Sequence, residues 1–127
     1  MNITSSGLPM PAPGLKTDIV RTGEALVCVL SGDLHTGTRD VADQALRDAL
    51  DSGPGLLAVD LDAVELFTAD GLNLLLTLRD TARSRTVPLI LLSPSRAVRT
   101  VLDLTGAVGT FTIHVSLAEA TTHGDRP

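Results

Sequence analysis

An α/β domain built on a mixed sheet follows from three features of this sequence. Two short extended segments on the N-terminal side are separated only by Gly23-Glu24, which reads as an antiparallel hairpin. Short apolar strands then alternate with helix-length amphipathic stretches. The connections between them are short and rich in Gly, Pro and Ser, so each strand–helix–strand unit implies a right-handed parallel crossover. The expected succession is β-β-α-β-α-β-α-β-α, one domain with about four helices packed on the sheet. A chain of 127 residues has room for one such core, and a 43% apolar content is enough to fill it.

Residues 1–17 carry Pro and Gly without helical or alternating pattern and read as a flexible leader. Asp18–Thr22 and Ala25–Leu30 form the hairpin, and Gly32 ends the second run. From Thr38 the apolar residues Val41, Ala42, Ala45, Leu46, Ala49 and Leu50 recur at helical spacing, and Gly53-Pro54-Gly55 stops that helix. Leu56–Leu61 is apolar at five of six positions, which suits a central strand covered on both faces. A loop to Phe67 leads to a second helix over Ala69–Ser84, with Leu74, Leu78 and Ala82 stacked at i+4 spacing. Pro88 precedes the strand Leu89–Leu92, at a position where a missing N–H is tolerated. Ser93-Pro94-Ser95 introduces a third helix with Val98, Val101 and Leu102 on one side, and Gly106 sits where a C′ glycine belongs. Phe111–Val115 reads as the last strand. Ser116 and Glu119 form a capping box opening a short terminal helix, and residues 121–127 read as a frayed tail. The domain itself therefore spans residues 18–120.

Composition excludes several functions. The formal net charge is −5, and Phe67 and Phe111 are the only aromatics among Phe, Tyr and Trp, so phosphate backbones are repelled and bases find no stacking platform. No apolar run approaches the roughly 20 residues of a membrane span, and the N-terminus has no signal-peptide pattern, which places the expected setting in the cytoplasm. One cysteine rules out a disulfide framework and a thiolate zinc cage; Cys28, between Val27 and Val29, reads as a buried small hydrophobe. His35, His114 and His123 are scattered without metal-ligand spacing. Asp60 and Asp62 close the third strand as solvated carboxylates; a nucleotide hydrolase built on them lacks any glycine-rich phosphate cradle. Lys16, the only lysine, lies in the leader and cannot complete a receiver-type acidic site. No catalytic residue, metal ligand or cofactor is expected. Arg79 with Arg83, and Arg96 with Arg99, read as solvated helix faces or as a basic rim suited to an acidic partner surface.

What remains is a binding surface, and the most informative stretch runs from Val59 to Leu76. There a helix opens at Thr68-Ala69-Asp70-Gly71-Leu72. Thr68 is placed to act as N-cap, Asp70 puts a negative charge in the positive first turn, and Gly71 has no side chain to obstruct close approach. This junction, with Leu30-Ser31-Gly32-Asp33-Leu34, the Asp60-Leu61 pair and the run from Ser95 to Gly106, resembles the STAS family of anti-sigma factor antagonists over about Asp18 to Ala120.

The resemblance implies a regulatory module that docks on an anti-sigma factor with ATP-dependent serine kinase activity. In that family the junction reads Asp-Ser-Ser-Gly-Leu or Asp-Ser-Thr-Gly-Leu; the partner phosphorylates the first Ser, and the added charge breaks the complex. Here the family's Asp falls on Thr68, its phosphoacceptor on Ala69 and the next residue on Asp70, so the acceptor position has no hydroxyl. Three consequences stay open: binding without phosphoregulation, a fixed charge at Asp70 that partly mimics the modified state, or Thr68 as substitute acceptor. Asp33 matches an acidic position the family keeps near the switch, and His35 replaces a more usual acidic or polar residue. The implied partner-binding set is Asp33, Thr68, Ala69, Asp70, Gly71 and Leu72. Other STAS proteins or a second copy of the chain are further partners, and the alternative role is a scaffold component or a transporter-associated subunit.

Overall fold

The computed structural model describes residues 14–124. Five strands, β1 (Leu15–Thr22), β2 (Ala25–Leu34), β3 (Leu56–Phe67), β4 (Leu89–Leu92) and β5 (Thr112–His114), lie in one sheet in chain order. β1 and β2 are antiparallel; every later neighbour is parallel. The helices are α1 (Arg39–Asp51), α2 (Ala69–Ser84), α3 (Arg96–Thr105) and α4 (Leu117–Gly124), with a 3-10 turn at Ala107–Thr110. Because the parallel strands advance in one direction across the sheet, right-handed crossovers put α1, α2 and α3 on the same face. Strand alternation then divides the core. Cys28, Leu30, Val59, Leu61 and Leu91 join the main cluster under those three helices, while Val27, Ala58, Ile90 and Leu92 face the other side with Ala120 of α4.

The helices form where the apolar spacing places them. α1 buries Ala42, Leu46, Ala49 and Leu50; α2 buries Leu74, Leu78 and Ala82; α3 buries Val98 and Leu102. Ser95 caps α3, its Oγ accepting from the Val98 N–H at 3.4 Å, and Gly106 ends it at φ 75°. At α4 the Ser116 Oγ accepts from the Glu119 N–H at 3.1 Å. The reciprocal half of the box is displaced by one residue: the Glu119 carboxylate takes the Val115 N–H and meets His114 Nδ1, each at 3.1 Å.

The boundaries depart from expectation at several points. β1 begins at Leu15, whose side chain is buried, so residues 15–17 of the expected leader belong to the sheet; residues 1–13 lie outside the described ones. α4 continues through Gly124 into the expected tail, and residues 125–127 lie outside the described ones. β2 does not stop at Gly32 but bulges there and runs on to Leu34. Gly32 has φ +108°, and a Cβ on it would lie 2.0 Å from the Gly14 carbonyl oxygen, so neither the backbone angle nor the space admits a side chain. β3 is twice as long as expected, which leaves Asp60 and Asp62 within the strand instead of at its end; the Asp62 N–H donates to the Asp60 carboxylate at 3.0 Å. The last strand is shorter than expected: Phe111 precedes it as a buried plug, and Val115 lies exposed beyond it.

Candidate functional site

The extensions of β2 and β3 bring the distinctive residues together. Asp33 pairs with Leu66 and Leu34 with Phe67, so both strands end side by side where α2 starts. The Thr68 N–H donates to the Leu34 carbonyl at 3.1 Å, which ties the start of α2 to the end of β2. Asp33 is thus a strand residue, not a loop residue, and its backbone N–H donates to the Gly14 carbonyl.

Between β2 and α1 the chain folds around Thr38, which is 1% exposed. Its hydroxyl donates to the Asp33 carbonyl at 2.8 Å and accepts from the His35 N–H at 3.1 Å. The Gly37 N–H donates to His35 Nδ1 at 2.9 Å, closing the turn from inside. This holds Thr36 outward over the start of α2, where its hydroxyl donates to the Asp70 carboxylate. Arg39 approaches the same carboxylate at 3.7 Å. Asp70 therefore faces three positive features, the Arg39 guanidinium, the Thr36 hydroxyl proton and the N-terminal end of α2.

Three expectations about this junction are corrected. Thr68 occupies the N-cap position with extended backbone but makes no side-chain cap; its Oγ1 is buried without a hydrogen-bond partner among the described residues. An unmade buried hydroxyl bond costs about 1–3 kcal/mol, so Thr68 does not supply the stabilisation that its position predicts. Gly71 does not open the helix end to an approaching molecule. It is buried, and a Cβ there would lie 2.7 and 2.9 Å from Phe67 ring carbons and 3.0 Å from Leu34 Cγ. Leu72 is likewise a core residue, 7% exposed. Of the six expected positions, Ala69 is exposed, Asp33, Thr68 and Asp70 are half-buried, and Gly71 and Leu72 are buried.

Beside this junction an open groove of about 600 Å³ runs between the end of β3 and α3, lined by Val64, Leu66, Phe67, Arg96, Ala97 and Val101. Leu66 is 45% exposed and borders this groove with Val64, Phe67, Ala97 and Val101, so the apolar surface here is contiguous. Thr36, Arg39 and Leu66 were not singled out from the sequence. Nothing local marks Thr36, which meets Asp70 across 34 positions, and Leu66 was hidden inside an expected loop.

Burial, with a smaller contribution from the charge of Asp18, pushes the Cys28 thiol up to about 12. Among the described residues no three of His, Cys, Asp and Glu gather as a metal site, and no helix is long and apolar enough to cross a membrane.

Residues 16–120 match the model of the STAS domain. The chain belongs to the STAS family. Among solved structures, its fold is similar to an anti-sigma factor antagonist from Mycobacterium paratuberculosis, at 24% identity and a TM-score of 0.77, covering 90% of this chain and 97% of that one. A putative anti-sigma factor antagonist from Thermotoga maritima is similar at 20% identity and TM-score 0.74, covering 87% and 95%. The anti-sigma factor antagonist SpoIIAA in its unphosphorylated form is similar at 21% identity and TM-score 0.68, covering 89% and 99%. At these identities the likeness is one of fold. Among curated protein sequences none matches the chain. Within this STAS domain the junction of β2, β3 and α2 presents an outward Ala69, a partly neutralised Asp70 and an apolar groove on one continuous end of the molecule.

Proposed function

We propose that this STAS protein is an anti-sigma factor antagonist that docks on its anti-sigma factor through the N-terminal end of α2 and the adjoining groove, in the cytoplasm and without catalysis of its own. The observation that carries this reading is the exposed Ala69 at the start of α2, beside the half-buried Asp70 and the groove at Leu66. An exposed aliphatic side chain bordering a groove, with charged groups nearby, is the composition of a protein-docking surface. Glu65 and Arg96 place one charge of each sign at that groove, so its apolar residues carry the docking and the charges set its orientation.

Ala69 makes docking independent of phosphorylation at the family's acceptor position. The relative SpoIIAA has been solved in unphosphorylated and phosphorylated forms, so an acceptor-free chain is an informative departure. Asp70 is a contact residue in this reading and not a phosphate mimic. A phosphate brings about −1.5 to −2 charges, whereas Asp70 brings one and shares it with Arg39. Nor does Thr68 replace the missing acceptor, because its hydroxyl oxygen is buried.

The test is affinity capture from the native lysate with tagged wild-type chain and with Ala69→Arg, followed by mass spectrometry. Recovery of an ATP-binding anti-sigma factor by the wild type and its loss with Ala69→Arg supports the proposal. Recovery of other STAS proteins alone makes the chain a scaffold component and overturns it.

A further inference from the structure

β1 is an edge strand of the sheet, and it has neither the bulge nor the proline that would stop another strand from pairing with it. Its register with β2 is unbroken from Leu15 to Thr22. Ile19 and Val20, on opposite faces, are 48% and 50% exposed. The phase of its hydrogen bonding is set at both ends. Gly23-Glu24 is a two-residue turn, which makes Thr22 and Ala25 a hydrogen-bonded pair, and the Gly14 carbonyl accepts from the Asp33 N–H. The even-numbered residues of β1 therefore turn their N–H and C=O toward β2. Those of Leu15, Thr17 and Ile19 point outward from the sheet.

We infer that β1 pairs antiparallel with β1 of a second copy of this chain, about a two-fold axis through Thr17 that joins the two sheets into one. The order of charges along the strand selects both this partner and this register. A two-fold axis perpendicular to the sheet preserves its faces, so the outward-bonding residues of one copy meet those of the other. With the axis at Thr17, Lys16 stands opposite the partner's Asp18, and Asp18 opposite the partner's Lys16. Within one strand these two exposed side chains already lie 3.9 Å apart, so the dimer shares an existing pair across the axis. On the other face Thr17 meets the partner's Thr17 and Ile19 meets the partner's Leu15, each pair exchanging both main-chain hydrogen bonds. Other registers match less well. An axis at Lys16 opposes two lysines and one at Asp18 opposes two aspartates, while one at Ile19 sets Lys16 and Asp18 against Thr22 and Val20. An axis at Val20 needs Glu24 as the acid, and its carboxylate lies over Gly55 instead. The inference does not rest on the proposed docking face.

The experiment is sedimentation velocity of the purified full chain at low salt. An edge pair of this length is a small interface, so the series runs from about 1 µM to about 1 mM. Wild type is expected to pass from monomer to dimer across that range. Lys16→Asp alone and Asp18→Lys alone each set like charges opposite one another twice, and each should weaken the dimer at least about tenfold. Both side chains are exposed, so the melting curves of the variants should match that of wild type. An equimolar mixture of the two variants should recover the dimer, because every charge pair across the axis is again of opposite sign. A wild-type chain that stays monomeric throughout, or a dimer that survives both single variants, overturns the inference. So does a mixture that dimerises no better than either variant alone.

Discussion

Gly71→Ala tests the packing of the α2 junction, because two known effects oppose each other there. Alanine is favoured over glycine in a helix by about 1 kcal/mol, which alone would make the substitution stabilising. Against that, the added Cβ would stand 2.7 and 2.9 Å from two Phe67 ring carbons and 3.0 Å from Leu34 Cγ. Carbon atoms prefer about 3.5–4.0 Å, and Phe67 and Leu34 are themselves 5% and 0% exposed, so neither can swing aside into solvent. Overpacking of this kind costs about 1–3 kcal/mol, so the steric term wins and the net loss is about 1 kcal/mol. For a domain of this size the melting temperature falls by roughly 3–5 °C. Urea denaturation of Gly71→Ala, Phe67→Leu and the double variant completes the test. Removing the ring abolishes the two shortest contacts, so the alanine should be neutral or stabilising beside Phe67→Leu, with a coupling of about 1 kcal/mol. A Gly71→Ala chain that is more stable than wild type, with no coupling to Phe67, would refute the reasoning. The same geometry makes Gly71→Arg a folding defect and therefore useless as a probe of docking; Ala69, which faces outward, is the position to substitute.

Three further outcomes are expected. Ser95→Ala removes both the donor to the Val64 carbonyl and the α3 cap, and should cost about 1–2 kcal/mol in a urea titration. Arg39→Ala breaks a partly exposed pair with Asp70 and should change stability by no more than about 0.5 kcal/mol by the same measurement. Cys28 keeps its proton up to about pH 12 when folded, against 9.0 for an unperturbed thiol. The unfolded chain therefore binds fewer protons between those values, and stability present below pH 9 is lost as pH rises toward 12. Cys28→Ala should flatten that part of the pH–stability curve, and native Cys28 should resist an aromatic disulfide reagent at pH 8 until the chain unfolds.

Much of the fold was legible because its strands and helices carry clear periods. The i, i+4 stripe of α2 and the apolar run of β3 leave little choice, and the crossover rule then dictates the parallel order. β3 was cut short because Asp62 and Glu65, beyond Leu61, look like a polar loop. In the structure these residues take the less buried positions, while Leu61, Val64 and Phe67 turn inward through a bulged register. Leu15 was lost in a Pro-rich stretch whose pattern gives no hint that its last residues join the sheet. At the site, the resemblance named Asp33, Ala69 and Asp70, but sequence could not say which way Gly71 faces. That depends on where Phe67 and Leu34 lie, and only the paired ends of β2 and β3 fix them. Thr36 and Arg39 come to Asp70 solely through the fold, so no spacing rule would have found them.

The most direct measurement is a calorimetric titration of the purified anti-sigma factor with wild-type chain and with Ala69→Arg, the melting curves of both chains being recorded alongside. Saturable binding by wild type is expected, and binding at least about tenfold weaker by Ala69→Arg, at matching melting temperatures. Equal affinity of the two chains would show that the α2 N-terminus is not the docking face.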